Sequence, residues 1–426
     1  MTARLTCLLG LIVFVFLAWI ISENRRRFPW RVVIGGVLLQ LTLAMFVLRT
    51  SLGRGLFDAI GAGFERVMAS VTAGTGFLFS AGGDQSLLKT FAFGVLPTVI
   101  FFSSLMSILY HIGIMQKVVG LLAVVMRVTL GTSGVETLAA SANVFVGHTE
   151  APLVVRPYLA TMTRSELCAM MVGGFATVTG GLLGVYAGMG IDISHLLTAS
   201  VISAPAGLLI AKVMVPETVD RSRTSPDGET PDDATLMPEA ITMSTSNNNL
   251  IGAAVEGASD GLKLALNVGA MLIAFLALIA LIDVLLATVS EALTWMTHRE
   301  IPVVTLGGIL GYVCSPLALL MGIPSDECLA AGELIGIKTV ANEFIAYAEL
   351  GRIATSESPS LSPRTIQILT YALAGFSNFG AIGIQVGGIG GLEPSRRLEL
   401  SQLGLKAMYG GLLACCMTGA VAGFLL

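Results

Sequence analysis

Two short stretches carry groups able to bind a polar solute. NVFVGHTEAPLVVRP, residues 143–157, sets Asn143, His148, Thr149, Glu150 and Arg156 between long apolar runs. KTVANEFIAY, residues 338–347, carries Glu343. One carboxylate can accept hydrogen bonds from two adjacent hydroxyls and so suits a vicinal diol, while a second can take the N–H groups of a heterocycle. Asn143, Thr149 and Asn378 add donors and acceptors, and Phe376 and Phe379 add flat apolar contact. The inventory fits a nucleoside, an amino acid or a simple sugar alike. GHTE superficially resembles a metal-binding element, but it holds one His and lacks H-E-x-x-H spacing, which argues against a hydrolase. No Walker-type phosphate loop is present, so nothing calls for ATP.

These groups sit in a chain of 426 residues that is 54% hydrophobic and only 12% charged, against roughly 25% charged in soluble proteins. Apolar windows near the ~20 residues that cross a bilayer recur throughout, which identifies an integral membrane protein, a transporter or a channel. Forty-nine glycines favour close helix approach and broken helices. A net charge of −4 and four histidines give no reason to expect nucleic acid. Cys7, Cys168, Cys314, Cys328, Cys415 and Cys416 lie in or beside apolar segments without ligand spacing, so they read as small buried hydrophobes. The first apolar stretch has no Ala-x-Ala-like cleavage site and its basic cluster follows it, as expected of a retained helix whose C-terminal end is cytoplasmic.

The fold expected is an all-α polytopic membrane protein: eight transmembrane helices with two opposed re-entrant hairpins and interfacial helices, arranged as an inverted repeat. The spans fall at about 4–22, 32–49, 89–110, 167–189, 195–215, 258–289, 364–388 and 404–426. Interrupted apolar segments at 53–81, 113–130, 133–162, 302–321 and 325–352 supply the interfacial helices and hairpins. With the loop of Arg25, Arg26, Arg27 and Arg31 inside, both termini face out, a clear but imperfect charge bias. We divide the chain into N-terminal scaffold helices (1–110), a first transport repeat with hairpin 1 (111–215), a flexible cytoplasmic loop (216–250), a scaffold helix (251–301) and a second repeat with hairpin 2 (302–426). The loop is rich in Pro, Asp, Ser, Thr and Asn. On either side of it the same order recurs: amphipathic segment, interrupted segment with a polar tip, Gly-rich span. A polar break follows each tip, GGFATVTGG at 173–181 and GFSNFGAIG at 375–383. Opposed insertion of the two copies would gather the four breaks near the bilayer midplane.

A carboxylate at membrane depth costs roughly 2.5–3.5 kcal/mol on insertion scales, so Glu150 and Glu343 need polar surroundings, protonation or a partner. Glu150 could pair with Arg156 in an exposed loop; alternatively, broken helix ends and side chains line a wet cavity. Gly147 and Pro152 bracket the first tip as a turn would require. Glu136 reads as a polar support for the hairpin, with a place in the cavity as the alternative, and Phe145 and Phe344 read as packing residues.

Five stretches then carry a resemblance: NVFVGHTEAPLVVRPYL, MTRSELCAMMVGGFATVTGGLLGVYAGMGI, LIGIKTVANEFIAY, LSPRTIQILTYALAGFSNFGAIGIQVGGI and, more weakly, EGASDGLKLALNVGAMLIAFLALIALID. The chain resembles the concentrative nucleoside transporter family, the NupC-like carriers, over nearly its whole length. The resemblance implies a homotrimer in the bacterial inner membrane, with nucleosides and a coupling ion as ligands and no bound cofactor. It places His148, Thr149 and Glu150 against the nucleobase with Val178 adding apolar contact, and Glu343, Asn378 and Phe376 against the ribose. Sodium would be held by Asn143, Val146, Thr177 and Val178 through side-chain and backbone oxygens.

Two departures from the family pattern stand out. His148 occupies a position where the family usually has Gln, and Gly380 and Ala381 stand where many relatives have paired serines. An imidazole offers one donor and one acceptor and titrates near neutrality, so base preference, with a leaning to purines, and pH dependence can differ. The expected activity is cation-coupled nucleoside import by alternating access, with sodium preferred; a proton-coupled symporter and a facilitative channel are the alternatives. The protein is not expected to be an enzyme.

Overall fold

The computed structural model describes residues 2–79, 87, 90–148, 150–218, 249–298 and 302–426, and among these there is no strand. The middle of the polar loop, 219–248, and Thr149 lie outside the described residues. The helices are α1 (Thr2–Ile20), α2 (Trp30–Arg49), α3 (Ser51–Phe79), α4 (Leu96–His111), α5 (Ile114–Leu130), α6 (Gly134–Asn143), α7 (Ala151–Val154), α8 (Arg164–Ala176), α9 (Gly180–Gly188) and α10 (Ile193–Met214). After the loop come α11 (Leu250–Thr297), α12 (Leu306–Leu320), α13 (Cys328–Val340), α14 (Glu343–Ala354), α15 (Pro363–Leu373), α16 (Phe379–Leu392) and α17 (Arg397–Leu425).

Among the described residues, six helices are long and apolar enough to cross a membrane: α1, α2, α4 with its preceding turn, α10, α11 and α17 with the turn before it. The remaining two expected spans, 167–189 and 364–388, are not continuous helices. The first is α8 and α9 with residues 177–179 extended between them, and the second is α15 and α16 separated by 374–378. Both interruptions fall on the polar breaks read from the sequence. The span placed at 258–289 is the middle of α11, which runs for 48 residues, roughly 72 Å at 1.5 Å per residue.

Helix starts follow local chemistry. Ser133 and Thr163 each form a reciprocal capping box, with Glu136 and Glu166 respectively, at the heads of α6 and α8. Asp192, Asn249, Asn342, Ser362 and Asn378 cap α10, α11, α14, α15 and α16 through side-chain oxygens. Pro363 occupies the first turn of α15, where its missing N–H costs nothing.

The packing has an internal repeat. α5 packs on α6 as α12 packs on α13, and the two flanking helices α4 and α11 lie along each other. α8 packs on α10 and α15 packs on α17, while α8 also meets α17 and α15 meets α10. The helix-turn-helix units α6–α7 and α13–α14 are thereby brought beside the two broken helices. α1 lies on α17 and α2 on α10, so the first two helices cover this bundle rather than the α4–α11 pair. The bundle is centred on α10, buried along most of its length, and on the C-terminal part of α17 from Ala407 on.

Candidate functional site

The four polar breaks meet. At the first turn, Gly147 adopts φ 87°, in the left-handed region, and a β-carbon there would collide with the Thr179 methyl; only glycine fits this approach. The Phe145 carbonyl accepts from Gly180 N at 2.9 Å, which stitches the turn to the break between α8 and α9. His148 then projects toward the second broken helix, its ring edge-on to Phe376 at 4.7 Å between centroids. At the second turn, Asn342 caps α14 by accepting from Ile345 N at 3.0 Å, which sets Glu343 at the helix start. The Glu343 carboxylate accepts from the Tyr186 hydroxyl of α9 at 3.2 Å and from Asn378 Nδ2 at 3.1 Å. Asn378 uses its other end, Oδ1, to cap α16 by accepting from Ala381 N at 2.9 Å. One carboxylate thus ties together the second turn and both broken helices.

Each expected site residue except Thr149, which lies outside the described residues, can now be placed. Glu343 and Asn378 are in direct contact and 2% and 3% exposed, Phe376 is buried beside them, and His148 reaches them through Phe376. Val178 is buried in the extended break. Glu150 differs from Glu343: it holds the capping position of α7 without a side-chain cap bond and is exposed, as is Arg156. Phe379, half exposed, turns away from the buried set. Glu136 supports the hairpin. Its Oε2 pairs with Lys212 Nζ at 2.5 Å in a nearly fully buried ion pair, and it also borders a cavity of about 680 Å³ shared with Arg27, Ser133, Glu166 and Glu217. That cavity is lined by the loop after α1 and by Pro216 and Glu217, with none of the expected substrate-site residues, so the supporting role read for Glu136 is the one its contacts carry.

The groups expected to hold a cation are consistent with that use. Asn143 Nδ2 donates to the Met170 carbonyl at 3.3 Å, leaving Oδ1 buried with no partner among the described residues. Thr177 gives its hydroxyl hydrogen to the Gly173 carbonyl at 2.9 Å, so the oxygen lone pairs remain. Val146 and Val178 lie in non-helical backbone, where carbonyls are not consumed by a helix ladder. An orphan buried acceptor amid such oxygens suits a hard monovalent cation.

Sequence reasoning missed Tyr186 and Gln385. Gln385 is the sole hydrogen-bonding side chain in α16 and lies two turns after Asn378, a spacing that puts both on one helix face. Tyr186, nine residues beyond Thr177, offered no comparable signal.

Comparison with known proteins decides the family. The chain matches the model of the Na+ dependent nucleoside transporter C-terminus over residues 195–423, its N-terminus over 9–81, and a nucleoside recognition gate over 92–192. The chain belongs to the concentrative, Na+-dependent nucleoside transporter family. The transporter is 41% identical to an uncharacterized transporter of Haemophilus influenzae over 98% of this chain and 97% of that one. It is 39% identical to sodium/nucleoside cotransporter 1 of Mus musculus over 99% of its own length, spanning 64% of the mouse protein. Among solved structures it resembles CNTnw in an inward-facing substrate-bound state, with a TM-score of 0.87, 39% identity and coverage of 99% and 98%. It is accordingly a multi-pass membrane transporter and not an enzyme.

Proposed function

We propose that this transporter imports nucleosides by alternating access, coupled to sodium. The observation that carries the reading is Glu343, a buried carboxylate shared between Tyr186 and Asn378 where the second turn meets both broken helices. In this reading the Glu343 and Asn378 pair holds the ribose hydroxyls over Phe376, while His148, Thr149, Glu150 and Val178 face the base. Sodium sits on Asn143 Oδ1, Thr177 Oγ1 and the carbonyls of Val146 and Val178. Cation and nucleoside then share one turn, residues 143–150, so each raises the affinity of the other, as linkage demands. Ala381 in place of a serine leaves Glu343 and Asn378 as the main ribose contacts.

The α6–α7 and α13–α14 units act as opposed re-entrant hairpins, and the assembly is a homotrimer in the bacterial inner membrane. The sequence division puts α1 and α2 in the scaffold; because they pack on α17 and α10, we instead assign them to the moving bundle, which leaves α4 and α11 as the scaffold. One charge crossing about 100 mV supplies roughly 2.3 kcal/mol, and a tenfold cation gradient about 1.4 kcal/mol more. Together these sustain an accumulation of roughly several hundredfold.

The test is uptake of radiolabelled uridine and adenosine into proteoliposomes with and without an imposed sodium gradient. Accumulation above the external concentration under the gradient is expected; mere equilibration would indicate a channel, and undiminished uptake in choline would reject sodium. A second reading, proton coupling, draws on His148 and Glu150, two titratable side chains on the same turn. A pH series without sodium separates the two cases.

A further inference from the structure

Gln385 is 1% exposed, and burying an amide is costly unless both of its ends are used. Its Nε2 donates to the Met171 carbonyl of α8 at 3.2 Å, which fixes the orientation of the amide. Its Oε1 is buried and has no partner among the described residues, and the same is true of both ring nitrogens of His148. The two side chains converge over Gly174: a β-carbon there would lie 2.5 Å from His148 Cβ and 2.8 Å from Gln385 Nε2. Glycine at 174 opens the space in which the histidine and the amide approach each other. Three orphan polar atoms on two neighbouring side chains, next to the ring of Phe376, form an unfilled hydrogen-bonding edge.

Resting on the nucleoside reading above, we infer that Gln385 is a further specificity-determining residue, whose Oε1 is the fixed acceptor for an N–H on the edge of the base. The division of roles follows from the chemistry of the two side chains. A neutral imidazole presents one donor and one acceptor and exchanges them by tautomerising, so His148 adapts to keto and amino bases alike. Gln385 cannot adapt, because turning its amide would break the bond to Met171 and aim an N–H group into the site. The site therefore demands a donor at this point: the ring N–H of a uracil or hypoxanthine type of base, or the exocyclic amine of an adenine or cytosine type. A base methylated at that donor leaves Oε1 buried and unpaired, and sites built around such a bond reject analogues that lack it strongly.

The experiment compares uridine with 3-methyluridine, and adenosine with N6,N6-dimethyladenosine, as competitors of labelled uridine uptake by the full-length protein in proteoliposomes. Wild type is expected to bind each methylated nucleoside about tenfold or more weakly than its parent. Gln385→Met should bring both ratios to within about twofold, whereas Gln385→Glu, which keeps an acceptor, should retain discrimination. A merely structural clamp between α16 and α8 would lower uptake of all four nucleosides without moving the ratios. Unchanged ratios in Gln385→Met, or no discrimination by wild type, would overturn the inference. Equilibrium binding of the same four nucleosides to purified Gln385→Met protein gives the ratio even where transport is lost. If wild type took up no nucleoside at all, the nucleoside reading would fall, and this inference with it.

Discussion

Replacing Glu343 with Gln separates the two jobs that the site gives this side chain. In the native arrangement the carboxylate accepts from two neutral donors, Tyr186 OH and Asn378 Nδ2. The variant keeps one acceptor and turns an NH2 toward the other donor. One charge-assisted hydrogen bond is lost and one buried donor faces another, each worth roughly 1–3 kcal/mol, so stability should fall by about 2–6 kcal/mol. Adding Asn378→Asp reverses the pairing: the new amide donates to the new carboxylate, and the capping oxygen toward Ala381 N is retained. The double variant should thus regain most of the lost thermal stability, a coupling that a double-mutant cycle measures directly. Transport should not recover with it. If the Glu343 carboxylate accepts from ribose hydroxyls, both the single and the double variant lose about 10- to 100-fold in the kcat/KM of sodium-driven uridine uptake at equal membrane expression. Uptake within about twofold of wild type in Glu343→Gln, or recovery of uptake in step with stability, would refute the assignment.

Four other perturbations follow from single contacts. Asn143→Ala removes an orphan buried acceptor, and the sodium concentration for half-maximal uptake should rise about tenfold, read from a sodium activation curve. Gly147→Ala places a methyl against Thr179 in a backbone region costing ~1–3 kcal/mol to a side chain, so uptake and melting temperature should fall together. Lys212→Met strands the Glu136 carboxylate and should destabilise by about 3–5 kcal/mol, most of it recovered by adding Glu136→Gln, as thermal unfolding in detergent would show. Glu23, in the loop after α1, is hydrogen-bonded by Arg164 at 3.0 Å and paired with Lys406 at 2.7 Å, and these cations hold its carboxyl below the usual carboxylate range. A depressed folded value means its contribution is present above the unfolded pKa and lost as pH falls through the folded one. Melting temperature should accordingly decline on acidification less steeply in Glu23→Gln than in wild type.

Helices that cross a membrane are legible because they must be apolar over a fixed length, and α1, α2, α4, α10, α11 and α17 each overlap an expected span, with ends that differ by up to several residues. The breaks at 177–179 and 374–378 were visible as polar residues inside apolar runs, yet they also shortened the helices on either side, which a window of fixed length cannot register. Glu343 and Asn378 stand out in the sequence for the same reason, a costly group in a greasy segment, and the structure brings the two into contact. Tyr186 escaped because its ring satisfies an apolar environment and only its hydroxyl speaks to Glu343. Gln385 was overlooked although it met the same criterion as Glu343, being a lone amide in a helix otherwise built of Gly, Ala, Ile, Val, Leu and Phe. The full length of α11 was hidden because its ends are polar enough to resemble loop.

The amide side chains at the breaks suit the proposed placing of a cation at the first turn and match the carboxylate at the second. Each amide has one end committed to the protein. Asn143 and Gln385 commit their NH2 groups, to the carbonyls of Met170 and Met171, and so leave oxygens free. Asn342 and Asn378 instead commit their oxygens, capping α14 and α16, and the free end of Asn378 is a donor, which it presents to Glu343. The side of the site facing α8 is therefore supplied with orphan acceptors, which attract a cation and the N–H groups of a ligand. The side built on the helix starts of α14 and α16 carries donors already turned onto a negative charge, and helix N-termini favour that charge as well. A solute with N–H groups at one end and vicinal hydroxyls at the other matches both halves in a single orientation. Reversing either commitment, as Asn378→Leu does by removing cap and donor together, should cost ribose binding while leaving sodium activation in place, a separation that uptake at saturating and limiting sodium would measure.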